Sequence, residues 1–159
     1  MWPTGWFFAN LGGAYARTID YANAQSGDLL TVSPYVSCKL GRSLSANLGH
    51  TYETMAVEDG RLYTANVSYL RTVYQFSPEV FVRAILQLEG YDFSPNLYAD
   101  PASYQDYEGL SSQVLFSYKL NPQTVLFLGY NDSHYGDQTV DLTQTDRTLF
   151  AKIGYAWTM

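Results

Sequence analysis

The chain has 159 residues, which suits one domain, and it carries 15% charged against 16% aromatic residues. The aromatic content excludes an intrinsically disordered chain, and the single cysteine, Cys38, excludes an intrachain disulfide scaffold. The net charge of −6 argues against a nucleic-acid partner, because such partners require clustered Lys and Arg.

Apolar and polar residues alternate with period two in about eight segments, which is typical of strands that have one apolar face. In chain order we predict strands near residues 6–18, 29–40, 43–55, 61–76, 80–89, 110–120, 124–131 and 147–157. The fourth strand is predicted to separate an apolar face (Tyr63, Ala65, Val67, Tyr69) from a polar one (Thr64, Asn66, Ser68). Its alternation changes phase near Leu70, as at a β-bulge.

The connections between these strands alternate in length. Short turns are expected at 41–42, 77–79 and 121–123, and long polar connections at 19–28, 90–108 and 132–146. Short turns at one end and long loops at the other are typical of a transmembrane β-barrel. We therefore expect residues 1–159 to form a single all-β domain, an antiparallel up-and-down transmembrane barrel of about eight strands.

The polar faces of these strands carry mostly small or hydroxylated side chains, which suit the narrow interior of a barrel. The polar and charged residues predicted to line that interior are Glu53, Arg71, Arg83, Gln87, Glu89, Lys119 and Lys152. Two interpretations of Arg71 and Arg83 stay open. In a narrow barrel they pair with Glu53 or Glu89, and in a wide one they form a ladder that selects anions.

Aromatic residues also mark the end with the short turns, where Trp2, Trp6, Tyr155 and Trp157 predict a girdle at a membrane interface. Acidic residues concentrate in the long connections. They either keep the loops hydrated or share divalent cations with lipopolysaccharide phosphates. No spacing matches a calcium loop, so we predict no metal ligands and no cofactor.

The last residues carry the most specific motif of the chain. Residues 152–159 resemble the C-terminal signal of bacterial outer-membrane barrels, with Lys152, Gly154, Trp157 and Met159 at its defined positions. Family members commonly end in Phe or Trp, so Met159 is a departure. The resemblance implies recognition by the barrel assembly machinery through pairing at a sheet edge.

A wider resemblance covers most of the chain. Its residues lie at 19–25, 73–78, 82–87, 115–122 and 141–147. They are similar to the C-terminal barrel of an uncharacterised bacterial family in which an N-terminal sugar-binding-type β-sandwich precedes the barrel. The resemblance implies a Gram-negative outer-membrane protein that contacts lipid and lipopolysaccharide, with a periplasmic sandwich domain as a partner. It also implies that the chain is the C-terminal part of a larger barrel or a shortened relative.

The expected function is that of a porin-like outer-membrane anchor or pore segment without catalysis. Two alternatives stay open. One is an outer-membrane protease-like enzyme, since Asp132 and His134 are two residues apart and share a strand face, with Asp106 and Glu108 as the partner acids. The other is a soluble β-barrel that binds a small apolar ligand, because period two does not distinguish lipid outside from water outside.

Overall fold

The computed structural model describes residues 5–21 and 23–157, which form one antiparallel sheet of eight strands in up-and-down order. Each strand pairs with its neighbours in the sequence, which confirms the predicted all-β fold of eight antiparallel strands in up-and-down order. Its strands are β1 (Gly5–Asp20), β2 (Gln25–Leu40), β3 (Leu44–Val57), β4 (Gly60–Gln75), β5 (Val80–Phe93), β6 (Tyr107–Asn121), β7 (Thr124–Asp137) and β8 (Thr143–Tyr155).

The only helices in the described part of the chain are two short 3₁₀ turns, Pro95–Leu97 and Pro101–Ser103, in the β5–β6 loop. Neither they nor any other described segment is a helix long and apolar enough to cross a membrane. The short turns after β2, β4 and β6 lie at one end of the sheet, which we call the turn end, and the other connections lie at the loop end.

The strands continue further toward the loop end than the sequence predicts. The strand β5 ends at Phe93, β6 begins at Tyr107 and β7 ends at Asp137, so the β5–β6 loop spans only residues 94–106. Cross-strand aromatic pairs accompany this extension. The rings of Tyr91 and Tyr107, which are paired residues on β5 and β6, stack with centroids 4.7 Å apart. Such aromatic pairs stabilise strand pairing beyond the segment in which apolar and polar residues alternate.

The pairing register divides the side chains into two faces. The face we call inner carries polar residues on most strands, including Thr31, Glu53, Gln87, Gln113 and Lys152. The opposite, outer face carries apolar residues at the alternate positions, including Leu30, Leu48, Leu86, Val114 and Leu149. The β5–β6 loop folds across the inner face, which is why we give it that name.

The predicted facing of β4 is wrong. Its pairing with β3 is continuous from Tyr63 to Tyr74, so there is no bulge at Leu70. The register shift lies instead at Leu62, between the pairs that Tyr63 and Arg61 form with β3. The residues predicted for the apolar face, Tyr63, Ala65, Val67 and Tyr69, therefore share the inner face with Arg71, and Thr64, Asn66 and Ser68 lie on the outer face.

The two terminal strands leave the sheet open. Among the described residues, no Cα of β1 lies within 8 Å of a Cα of β8, and no pairing joins these strands. The side chains of β8 are exposed along its length apart from the half-buried Gly154. Each terminal strand therefore presents one unpaired edge.

Candidate functional site

Hydrogen bonds between polar side chains cover the inner face of β2 and β3. Glu53 accepts hydrogen bonds from Thr31 Oγ1 at 3.3 Å and from the Tyr63 hydroxyl at 2.7 Å. Nearer the turn end, Asn47 Oδ1 accepts hydrogen bonds from Tyr35 and Ser37 at 3.2 and 2.8 Å. Alternating strand positions bring these residues to one face, where each shares its polar groups with the neighbouring strand.

A second row of hydrogen bonds crosses β5, β6 and β7. Arg83 donates from an NH2 nitrogen to Gln113 Oε1 at 3.0 Å, and Gln113 donates to Asn131 Oδ1 at 3.0 Å. The Arg83 Nε is buried without a hydrogen-bond partner in the described part of the chain. The side-chain amides of Gln113 and Asn131 are neutral, so these hydrogen bonds orient the Arg83 guanidinium without neutralising its charge.

All seven residues predicted for a barrel interior lie on the inner face: Glu53, Arg71, Arg83, Gln87, Glu89, Lys119 and Lys152. The ion pairs expected in a narrow barrel are absent from the described residues, where neither Arg71 nor Arg83 lies within 4.0 Å of Glu53 or Glu89. The register explains this separation, because Arg71 and Arg83 occupy the turn half of the face and the two glutamates occupy the loop half.

A cluster of aliphatic and aromatic side chains, which we call the loop cluster, lies at the loop end of the inner face. Its buried members are Met55, Leu62 and Tyr98, each no more than 7% exposed. Tyr98 comes from the β5–β6 loop and stacks on Tyr104 of the same loop, with ring centroids 3.8 Å apart. Half-buried residues surround this loop cluster: Leu29, Val57, Tyr63, Phe93, Leu97 and Tyr104. Side chains of β2 to β5 thus hold the loop against the sheet.

The same loop is tied to the far side of the face. The amide of Ala99 donates a hydrogen bond to Asn23 Oδ1 at 2.8 Å, and Asn23 donates to Asp20 Oδ2 at 2.6 Å. Burial raises the pKa of the Tyr98 phenol to about 12, and the carboxylate of Asp20 adds to this shift. The loop therefore spans from β5 to the β1–β2 connection.

No protein-family model, no curated protein and no solved structure matches the chain. What the site does must therefore be argued from its own residues.

Aromatic residues gather at the turn end. Trp6 stacks on Phe8 with ring centroids 6.0 Å apart, and the Lys39 ammonium lies 5.8 Å from the Trp6 ring centroid. Near the end of the chain, the rings of Tyr155 and Trp157 meet edge to face. Trp2 and Met159, which the sequence assigns to the girdle and to the assembly signal, lie outside the described residues.

Asp132 and His134 share the outer face of β7, as the sequence predicts for residues two apart. The Asp132 carboxylate accepts hydrogen bonds from Tyr130 and Gln144 at 2.9 and 2.6 Å. His134 Nδ1 lies 4.0 Å from Asp132 Oδ1, beyond hydrogen-bond distance, and Arg147 lies at 4.0 Å on the other side of the carboxylate.

The proposed partner acids, Asp106 and Glu108, both line a recess at the loop end. Asp106 accepts hydrogen bonds from the amide of Phe93 at 2.7 Å and from Gln138 at 2.9 Å, so it anchors the β5–β6 loop. Glu108 lies two residues along on β6, facing this recess, which Asp92, Asp137 and Asp141 also line.

One carboxylate of this acidic recess, that of Asp137, holds the loop between β7 and β8 in place. Asp137 accepts hydrogen bonds from the Thr139 hydroxyl and from the amides of Thr139 and Val140. Within residues 5–21 and 23–157, no group of three His, Cys, Asp or Glu side chains is arranged to hold a metal ion.

The loop cluster is the part of the site that sequence reasoning missed. Residues 90–108 were predicted to form a long polar loop, yet that loop contains Leu97, Tyr98 and Tyr104, which are poor residues for a hydrated segment. Their presence beside Pro95 and Pro101 is the feature of the sequence that indicates packing of this loop against the sheet.

Proposed function

We propose that this protein is a bacterial outer-membrane β-barrel protein that serves as a membrane anchor or as a segment of a pore. One observation carries the proposal: the outer face of the sheet exposes apolar side chains while the inner face holds the polar ones. Soluble proteins rarely expose large contiguous apolar surfaces, whereas a membrane barrel has its apolar band outside and its polar face inside.

Every strand exposes at least one large apolar side chain on the outer face. Leu11 on β1 is 74% exposed, Leu88 on β5 is 55% exposed and Leu149 on β8 is 79% exposed. Transfer of this apolar surface from water into lipid is favourable by roughly 25 cal/mol for each Å². Lipid hydrocarbon is therefore a more favourable environment than water for the outer face.

The strand lengths fit the thickness of a bilayer. A strand of 14 residues, such as β3 or β5, is about 46 Å long at about 3.3 Å per residue. Tilted by about 45°, it rises about 33 Å, close to the roughly 30 Å of a hydrocarbon core. The aromatic residues Tyr155 and Trp157 at the turn end support an interface at that level, whereas Trp6 lies on the inner face beside Lys39.

The unpaired edges of β1 and β8 favour a barrel of more than eight strands. Unpaired N–H and C=O groups each cost several kcal/mol in hydrocarbon, so both edges require cover from additional strands. The inner face also holds the β5–β6 loop, whereas the interior of an eight-stranded barrel is just wide enough for its own side chains. Lipopolysaccharide, the barrel assembly machinery and a periplasmic sandwich domain are the partners that the proposal brings with it.

Two adjacent residues of β5 provide a matched test of membrane facing. Leu86 lies on the outer face and Gln87 on the inner face, and both side chains are exposed. In a Cys38→Ser background, Leu86→Cys and Gln87→Cys are labelled with an environment-sensitive fluorophore after reconstitution into vesicles. We expect nitroxide-labelled lipids to quench the Leu86→Cys label strongly and iodide to quench the Gln87→Cys label.

The soluble alternative predicts a different result. If both labels respond to iodide alone, or if the unmodified chain is monodisperse without detergent, the membrane proposal fails. Outer-membrane fractionation of cells that express the chain gives an independent measurement of the same proposal.

We assign no catalytic role to Asp132 and His134. The carboxylate is engaged by Tyr130 and Gln144 and makes no hydrogen bond to the imidazole, and Asp106 is committed to the β5–β6 loop. A peptidase assay of the vesicle-embedded chain and of His134→Ala tests this assignment. Cleavage that is lost in His134→Ala would overturn it.

A further inference from the structure

The basic residues of the chain concentrate in one place. Five of its nine Lys and Arg side chains lie on the inner face, and all five lie in its turn half. We call them the basic row: Lys39, Arg71, Arg83, Lys119 and Lys152. This concentration contrasts with the net charge of −6 of the whole chain.

The charges of the basic row are not compensated by ion pairs. Within the described residues, none of the five has a carboxylate within 4.0 Å. Arg83 is held by Gln113, a neutral amide, and its Nε is buried without a hydrogen-bond partner. Lys39 faces the ring of Trp6, which attracts a cation without cancelling its charge.

The carboxylates of the same face lie too far away to neutralise the row. Glu89 follows Arg83 on β5 by six residues, which corresponds to about 20 Å along a strand. Glu53 is also committed to the loop half, where Thr31 and Tyr63 donate to it.

We propose that the basic row is a binding surface for small inorganic anions, chloride and inorganic phosphate, which reach the inner face from the turn end. The inference rests on the proposed function, because a barrel shields this face from bulk solvent and concentrates its field. In a barrel that conducts, the row favours anions over cations, as rings of Arg and Lys do in anion pores.

The test compares two triple variants with the same net charge. In one, Arg71, Arg83 and Lys119 of the basic row are changed to Gln. In the matched control, Arg17, Arg61 and Arg147 are changed to Gln, and these residues lie outside the basic row. Far-UV circular dichroism establishes that both variants keep the β-structure of the unmodified chain.

Binding is measured first, because it does not depend on conductance. In non-ionic detergent, we expect the unmodified chain and the control variant to broaden the chloride NMR line, and inorganic phosphate to reverse the broadening by competition. In the basic-row variant, we expect the excess broadening of the chloride line to be at least about fivefold smaller, since three of the five charges are gone. Equal broadening by all three proteins would overturn the inference.

Conductance in planar bilayers separates this inference from the proposed function. Under a salt gradient, we expect the unmodified chain and the control to have a reversal potential that favours anions. In the basic-row variant, we expect the preference for anions over cations to be about fivefold smaller. A conducting chain that prefers cations overturns the inference and leaves the pore proposal intact. Chloride binding without conductance supports the inference and restricts the protein to the anchor role.

Discussion

The amide of Ala99 donates a 2.8 Å hydrogen bond to the side chain of Asn23, although the two residues are 76 positions apart. This bond joins the β5–β6 loop to the β1–β2 connection across the inner face. Loops that extend freely into solvent do not make such contacts, so the bond marks the β5–β6 loop as part of the folded structure.

Removing the Asn23 side chain is expected to loosen this loop. Asn23→Ala deletes the hydrogen bond to the loop, worth about 1 kcal/mol, together with the bond to Asp20, and the loss of the first raises the open population of the loop about fivefold. Limited chymotrypsin digestion of the reconstituted protein measures that population by cleavage after Tyr98 and Tyr104. The matched control is Asn96→Ala, since Asn96 is an exposed residue of the same loop. Equal cleavage of both variants would contradict the prediction.

Alkaline pH is expected to release the loop through Tyr98. Burial raises the pKa of this phenol from the usual 10.0 to about 12, so the folded state holds its proton more tightly than the unfolded state. The stabilisation is therefore complete below pH 10 and is lost as the pH rises toward about 12. Absorbance at the tyrosinate band measures the titration.

The Tyr98→Phe variant tests whether Tyr98 contributes to the late part of that titration. It is expected to lose the absorbance change of one tyrosine near pH 12. If the high-pH amplitude is the same in this variant as in the unmodified chain, Tyr98 is not the buried group.

Gly129 on β7 is expected to accept a side chain only at a cost in stability. The ring of Phe150, its paired residue on β8, covers Gly129 so closely that an added Cβ would overlap the ring. Gly129→Ala forces that ring to move and should destabilise the fold by about 1–3 kcal/mol. Gly90→Ala is the control, because no atom lies within 4 Å of a Cβ placed there. Urea unfolding in vesicles compares the two, and a midpoint unchanged by Gly129→Ala would refute this packing.

The open edges predict the outcome of a cysteine cross-linking experiment. In a Cys38→Ser background, Leu11→Cys with Leu149→Cys places thiols on β1 and β8, which are not neighbours, so no intrachain disulfide should form on oxidation. The control pair, Leu128→Cys with Ala151→Cys, joins the paired strands β7 and β8. A monomeric cross-link between positions 11 and 149 would show that the chain closes on itself, and a dimeric one would identify a second copy at the edge.

Much of this fold was predictable from local pattern. Alternation with period two, as in Val80, Val82 and Ala84 against Arg83, specifies which residues share a face, because successive side chains of a strand point to opposite sides. Short turns at residues 41–43 and 76–79 allow only antiparallel neighbours. The seven residues assigned to the polar interior all share one face for the same reason.

The facing of β4 was not predictable in this way. Tyr63 and Tyr69 resemble residues of an apolar face, but the bulge at Leu62 turns them inward, where Tyr63 meets Glu53 and the ring of Tyr69 covers Gly49. Phenols satisfy either environment because each has an apolar ring and a polar hydroxyl. Their direction therefore depends on partners that lie on other strands.

The sequence by itself determined the eight strands, their antiparallel order and, outside β4, much of the separation of polar from apolar residues, because alternation and turn length are local properties of the chain. The tertiary structure decided which way β4 faces, that the β5–β6 loop crosses the inner face, and that the basic row stands apart from Glu53 and Glu89. It also decided that β1 and β8 stay unpaired. These features depend on register and on contacts between residues distant in the chain, such as Ala99 with Asn23, which alternation along one strand does not encode.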